Sequence, residues 1–489
     1  MMLSSPFLQA YRAGGGGKYR VNCVLPRIPA SCLASNHFDK VASQKVSAAA
    51  IPTKKESPRG KLAAIVLSHA VVDFFSALVI PILSVLEGRA HMSPAEGAML
   101  VAVGSLSSGV IQPIVAIVGD KRDTRVLGTI GLIVAAVAIG LIGYADSFWK
   151  LALLQIIGTA GVGAFHPPAA AVMGHLAGKN RAVAVSVFFA AGILGGSIGS
   201  VAAPRWAATL GIKSFLWGVI PALLVAVILA WATHGSAHRH AHAHSTHRAL
   251  PKKERAARWN AVWVLYAVNA VRFTVNMAMV QLLVRWSELY TLSQSGVAGP
   301  ISPTMKAALL TPELRLASAG VNGPLQAAMG LGMGVFGLLV GWLVPHNRAR
   351  LAMIVTPCLG AIAVATMPLT STMWAAFLLS VLVGGGYAGT MPLSIAAAQR
   401  LLPHRTTLAS GLMMGGSWSL AFVGPPIAQW IYAGTGGSLA TVGVVFAVML
   451  VVSGLIILLI PRRLLDQGEA VMHAKDAVAV PDTAGLVAE

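Results

Sequence analysis

The chain has 489 residues; 56% are apolar and 11% are charged, with 36 basic against 16 acidic side chains and a formal charge of +20. Soluble domains carry roughly 25% charged residues, so a water-soluble protein of this length is excluded. The basic residues do not gather into a patch for nucleic acid; they are scattered between long apolar stretches, as in a membrane protein with basic loops.

Residues 1–60 contain no apolar span, nine Lys or Arg, and only Asp39 and Glu56 as acids. They are expected to form a disordered basic tail, either a transit-like leader or a mis-called start. A helix needs about 20 apolar residues to cross the hydrocarbon core. Twelve segments meet that length. Six fall in 61–232, at about 62–85, 97–119, 126–145, 149–173, 183–204 and 213–232. A His-rich basic linker, 233–258, follows. Six more spans occupy 259–462, at about 259–284, 319–343, 350–369, 373–397, 407–431 and 437–460, and a disordered tail is expected over 463–489. Cys23, Cys32 and Cys358 have no metal spacing and no disulfide framework.

Loops on one side of these spans, with the linker, hold seventeen Lys or Arg; loops on the other side hold seven, among them Arg89, Arg205, Arg285 and Lys306. The positive-inside rule therefore predicts a multi-pass protein of the cell inner (plasma) membrane with both termini and the linker in the cytoplasm. Arg205 and Arg285 read as snorkelling residues at the interface.

The two sets of spans are related. At an offset of 225, Arg125 meets Arg350, Trp149 meets Trp374, Gly161 meets Gly386 and Pro167 meets Pro392. The first and seventh spans pair at an offset of 200, where His69 meets Asn269. Six spans, a linker and six related spans imply a duplicated transporter, with a substrate site near the midplane between the halves. No GxxxxGK[ST] loop is present, which disfavours an ATP-driven pump. GxSxG at Gly195–Gly199 and GxGxxG at Gly332–Gly337 both fall inside spans, without the strand either motif needs, so no enzyme is expected.

Ionisable groups inside a membrane are costly and mark functional sites by default. Asp73 lies eleven residues into the first span, near the midplane, and His69 shares its helix face. Arg272 lies at comparable depth in the seventh span and His166 in the fourth. Asp73 with His69 is the candidate proton acceptor, and Arg272 either neutralises Asp73 or holds an anionic substrate. A fixed structural pair of Asp73 and Arg272 is the bland alternative. Small residues at helical spacing, such as Gly192/Gly196, Gly195/Gly199, Gly337/Gly341 and Gly411/Gly415, allow close helix approach.

The spacing His69-x-x-x-Asp73, together with six histidines between His234 and His247, resembles membrane zinc transporters. A second intramembrane acid is missing and the span count is double, so neither a metal site nor any other cofactor is expected.

Twelve spans, a basic linker and the 225-residue repeat resemble the major facilitator superfamily. The loop Gly119-Asp120-Lys121-Arg122-Asp123-Thr124-Arg125 is similar to that family's basic motif between spans two and three, and Gly341 and Arg350 survive in a degraded copy after span eight. The resemblance implies an all-α membrane fold of two pseudo-symmetric six-helix bundles, with Asp120, Lys121, Arg125, Gly341 and Arg350 as a conformational latch. Ser68, His69 and Asp73, then Gln112-Pro113, then Phe165-His166-Pro167, are similar to the fosmidomycin-resistance branch. Pro168 stands where that branch has an acid.

The branch implies a proton-coupled antiporter that exports small organic compounds. His166, Arg272, Phe165, Asn269 and Gln112 would line the cavity, and the partners would be a small-molecule substrate, protons and lipid, with the protein acting as a monomer. Import of an organic anion is the alternative within transport. A metal-responsive sensor or structural membrane protein is the alternative from another class.

Overall fold

The computed structural model describes residues 58–119, 123–177, 181–235, 252–297, 299, 301–402 and 405–465, and every regular element among them is helical. Lipid offers the backbone no hydrogen-bonding partners, so each crossing segment satisfies its own amides as a helix. Among the described residues, eleven helices are long and apolar enough to cross: Arg59–Arg89, Pro94–Gly119, Arg125–Tyr144, Phe148–Ala177, Val183–Leu210, Ile212–Thr233, Lys252–Gln294, Pro312–Leu343, Ala349–Leu369, Met373–Leu401 and Leu439–Leu459. The eleventh crossing in chain order is segmented instead. Helical pieces at Thr406–Gly411 and Gly424–Gly434 flank a π turn at Leu412–Gly416 and a tight turn at Ala421–Val423.

The expected boundaries shift at the seventh span. Its helix begins at Lys252 and runs 43 residues, so the end of the predicted linker is helical. Residues 58–60 and 463–465 of the expected tails are helical; Asp120, Lys121, the rest of both tails and most of the linker lie outside the described residues.

The internal repeat is visible in packing. A Cβ on Gly161 would fall 2.6–2.7 Å from the third-span backbone at Gly131 and Ala135. In the second half, a Cβ on Gly386 would fall 2.3 Å from Gly360 Cα. Gly386 and Gly360 lie 225 residues beyond Gly161 and Ala135, so spans four and ten approach spans three and nine at matched points. Arginines repeat the relation. Arg125 Nη1 donates to the Thr233 carbonyl at 3.1 Å, and Arg350 Nη2 donates to the Leu458 carbonyl at 2.8 Å. Each cation satisfies a carbonyl at a helix C-terminus, where the helix dipole favours it.

The halves meet along two seams. Span two lies against span eleven, where Gly109 packs on Ser419 and Gly415 on Gln112 and Pro113. Span five lies against span eight, where Gly323 packs on the Ser200 carbonyl. The fifth-span glycines Gly195 and Gly199 instead receive Ala70 and Phe74 of the first span, within one bundle. Gly341 and Gly411 have open space around them.

Candidate functional site

Three titratable side chains converge in the first bundle. His69 and Asp73 stand one turn apart on the first span, and His166 comes from the fourth span. His69 Nε2 lies 3.1 Å from His166 Nε2 and 3.3 Å from Asp73 Oδ2, and His166 Nε2 lies 3.4 Å from Asp73 Oδ1. His69 is 2% exposed, Asp73 25% and His166 19%, so the carboxylate is the most accessible member.

Both imidazoles are held from behind. His69 Nδ1 donates to the Phe188 carbonyl at 2.6 Å, and His166 Nδ1 donates to the Val162 carbonyl at 2.7 Å. A carbonyl can only accept, so both Nδ1 atoms carry hydrogen. The His69 ring stacks on Phe188 with centroids 3.8 Å apart, and Phe165 packs beside it at 5.9 Å. A Cβ on Gly192 would sit 2.5 Å from Asp73 Oδ2 and His69 Nε2, so only glycine leaves the cluster its room. An apolar groove of about 590 Å³ between spans one and five, lined in part by Leu62, Val66, Ala70, Val187 and Ala191, reaches the depth of the cluster.

The other expected site residues do not join this group. Arg272 is buried in the second bundle, where Nη1 donates to Thr390 Oγ1 at 2.6 Å, Nη2 to the Met353 carbonyl at 2.6 Å and Nε to Ser453 Oγ at 3.3 Å. It does not pair with Asp73, and among the described residues no carboxylate is within ion-pair distance of it. Asn269, 2% exposed, donates to Ser394 Oγ at 3.0 Å. Phe165 is fully buried behind His69 rather than lining a cavity. Gln112 sits at the seam with span eleven, against Gly415. Pro168 packs toward Gly128 of span three.

Of the expected latch, Arg125, Gly341 and Arg350 are among the described residues. Arg125 engages Asp123 and the end of span six, and Arg350 the end of span twelve, so these contacts of theirs lie within each half. Gly341 has nothing within 4 Å of a Cβ placed on it, so it supports no close approach there.

A second charged group is assembled from residues far apart in the chain. On the face opposite the basic loops, Arg285 is buried between two carboxylates, Glu87 of the first span and Glu288 one turn along the seventh. Glu288 also pairs with Lys306 of the short helix Pro303–Leu309, which inserts beside the Tyr432 ring. Arg315 adds a 3.0 Å bond to the Ser84 carbonyl, and Asn322 donates to the Ile80 carbonyl at 3.2 Å. Arg285 is therefore no snorkelling residue. The clue in sequence was the acids Glu87 and Glu288 at span ends, one of them three residues from Arg285.

Duplicated six-span bundles meeting along two seams, with ionisable groups held at mid-depth, define a multi-pass membrane transporter rather than an enzyme. The chain belongs to the Major Facilitator Superfamily, whose model matches residues 65–314. It is similar to the fosmidomycin resistance protein of Escherichia coli (strain K12), with 24% identity over 388 residues, covering 78% of this chain and 88% of that protein. Among solved structures, it resembles a bacterial homologue of the human lysosomal transporter Spinster in an inward-facing, unoccupied conformation. That likeness has a TM-score of 0.60 and 15% identity, and covers 87% of this chain and 99% of the other. The nucleoside transporter NupG matches at a TM-score of 0.59 and 11% identity, covering 82% and 98%. These structural likenesses establish the fold, and the family establishes a secondary transporter of small molecules.

Proposed function

We propose that the protein is a proton-coupled exporter of small organic compounds in the cytoplasmic membrane, with both termini in the cytoplasm, working by alternating access of its two bundles. The observation that carries this reading is the meeting of His69, Asp73 and His166. With both Nδ1 atoms committed to carbonyls, the two Nε2 atoms and the carboxylate would face one another as acceptors alone. Such a group needs a cation among its members, and a shared proton is the smallest that serves. Buried charge of this kind marks proton relays in membrane carriers.

The closed face opposite the basic loops supports a state in which the cluster communicates with the cytoplasmic side. Opening that face and closing the other would present the same groups to the proton-rich exterior. Import of an anion held by Arg272 loses its residue, since the guanidinium is already occupied within the second bundle.

The test is transport in proteoliposomes under an imposed pH gradient. Fosmidomycin, named in the relative, is the first compound to try, followed by other small organics, with proton movement read for each. In Asp73→Asn, gradient-driven transport falls at least tenfold while exchange without a gradient persists. A normal gradient-driven rate in that variant removes Asp73 from the coupling role.

A further inference from the structure

We propose that His69, Asp73 and His166 form a binding site for a divalent transition-metal ion of the zinc class. The proposal rests on geometry and stands independently of the proton-coupling reading above.

The ligand atoms already lie near the required separations. Around a tetrahedral ion with bonds of about 2.0–2.1 Å, neighbouring ligand atoms stand about 3.3–3.4 Å apart. Here the two Nε2 atoms are 3.1 Å apart, His69 Nε2 is 3.3 Å from Asp73 Oδ2, and His166 Nε2 is 3.4 Å from the other carboxylate oxygen, Oδ1. One ligand atom from each residue lies within 4.8 Å of the other two. Each imidazole turns its Nε2 inward because its Nδ1–H is fixed by a carbonyl, of Phe188 in one case and Val162 in the other. That outer-shell contact is the one that sets tautomer and ring direction in metal-bound histidines. Two nitrogens and one carboxylate oxygen suit zinc, cobalt, nickel or copper and do not suit magnesium or calcium.

Three protein ligands leave a fourth position for water or another small ligand, as in open metal sites. Asp73 is the exposed member through which it would be reached. Gly192 provides the space, since a Cβ there would approach two of the three ligand atoms to 2.5 Å. Spacing along the chain shows only the pair His69-x-x-x-Asp73. The third ligand is a histidine brought from another span.

The experiment uses the full chain in detergent. Cobalt(II) is titrated while its visible d–d absorption is read, and zinc binding is measured by calorimetry, for the unmodified protein and for His166→Gln and Asp73→Asn. The six histidines of 234–247 are common to all three proteins, so the difference between them reports the site. The unmodified protein is expected to bind one more equivalent than either variant, or to bind it at least tenfold more tightly. Only the unmodified protein is expected to give the intense cobalt absorption of a four-coordinate site. Thermal melting without metal checks folding of each variant.

Equal stoichiometry, affinity and spectrum in a folded variant overturns the proposal. So does absence of four-coordinate cobalt absorption in the unmodified protein, whatever the variants do. A zinc site lost in the variants, with normal gradient-driven transport in Asp73→Asn, supports the site and sinks the proton reading. No zinc site, with transport abolished in Asp73→Asn, does the reverse.

Discussion

Arg272 illustrates how a side chain can be placed at the right depth and on the wrong face. The offset of 200 that pairs His69 with Asn269 also pairs Asp73 with Phe273, and Val72 with Arg272. Val72 is fully buried in the first bundle, and one position along a helix is a rotation of about 100°. Arg272 therefore points into the second bundle, toward Thr390, Met353 and Ser453, while Phe273 packs on Trp418 with centroids 4.9 Å apart. Depth can be counted along a sequence; direction around the helix needs the neighbours. Arg272→Lys keeps the charge but loses the planar fork that reaches three acceptors. We expect it to cost about 1–3 kcal/mol of stability. The measurement is a lowered melting temperature in detergent with the proton-to-substrate ratio unchanged; a changed ratio would return Arg272 to the coupling machinery.

Among the helices, close approach follows the repeat. Gly386 meets Gly360 backbone to backbone, so Gly386→Val must push spans nine and ten apart. Overpacking of that kind costs typically about 1–3 kcal/mol, and Gly161→Val should cost about as much at the matching contact. Gly341→Ala, with nothing within 4 Å, is expected to leave stability within about 0.5 kcal/mol. Melting of the three variants side by side checks the order; a Gly341 variant as unstable as the other two would contradict the packing described. The 225-residue repeat was legible because paired Gly, Pro, Trp and Arg are rare coincidences in an apolar chain. The break in the eleventh crossing was not, since Gly and Pro also punctuate spans that stay helical, as Pro167 and Pro168 do inside Phe148–Ala177.

Across the assembled protein, the network of Glu87, Arg285, Glu288 and Lys306 ties the two bundles together at the face opposite the basic loops. Glu87 is the only one of the four in the first bundle, so its pair with Arg285 is the link this network makes between halves, beside the bonds from Arg315 to Ser84 and from Asn322 to Ile80. Removing one partner of a buried ion pair leaves the other uncompensated, at a cost of about 3–5 kcal/mol. Glu87→Gln is therefore expected to shift the population toward an opening of that face. Spin–spin distances between labels placed on either half at that face should lengthen; unchanged distances would show that the seams, with the Arg315 and Asn322 bonds, hold it closed without the ion pair. Arg285 was read from sequence as an interfacial cation because its partner Glu87 is 198 residues away in the chain.

Composition alone required a membrane protein, apolar run length set the number of crossings, and the spacing of rare residues exposed the duplication. Those are properties of a segment or of its repetition, and lipid makes them strict because every span must satisfy its own backbone. Tertiary structure alone decided which ionisable groups share a site. It brought His166 to His69 and Asp73, turned Arg272 and Phe165 into their bundles, and buried Arg285 between Glu87 and Glu288. Each outcome depends on how helices rotate and pack against neighbours distant in the chain, and an apolar helix surface records little of that rotation in its own sequence.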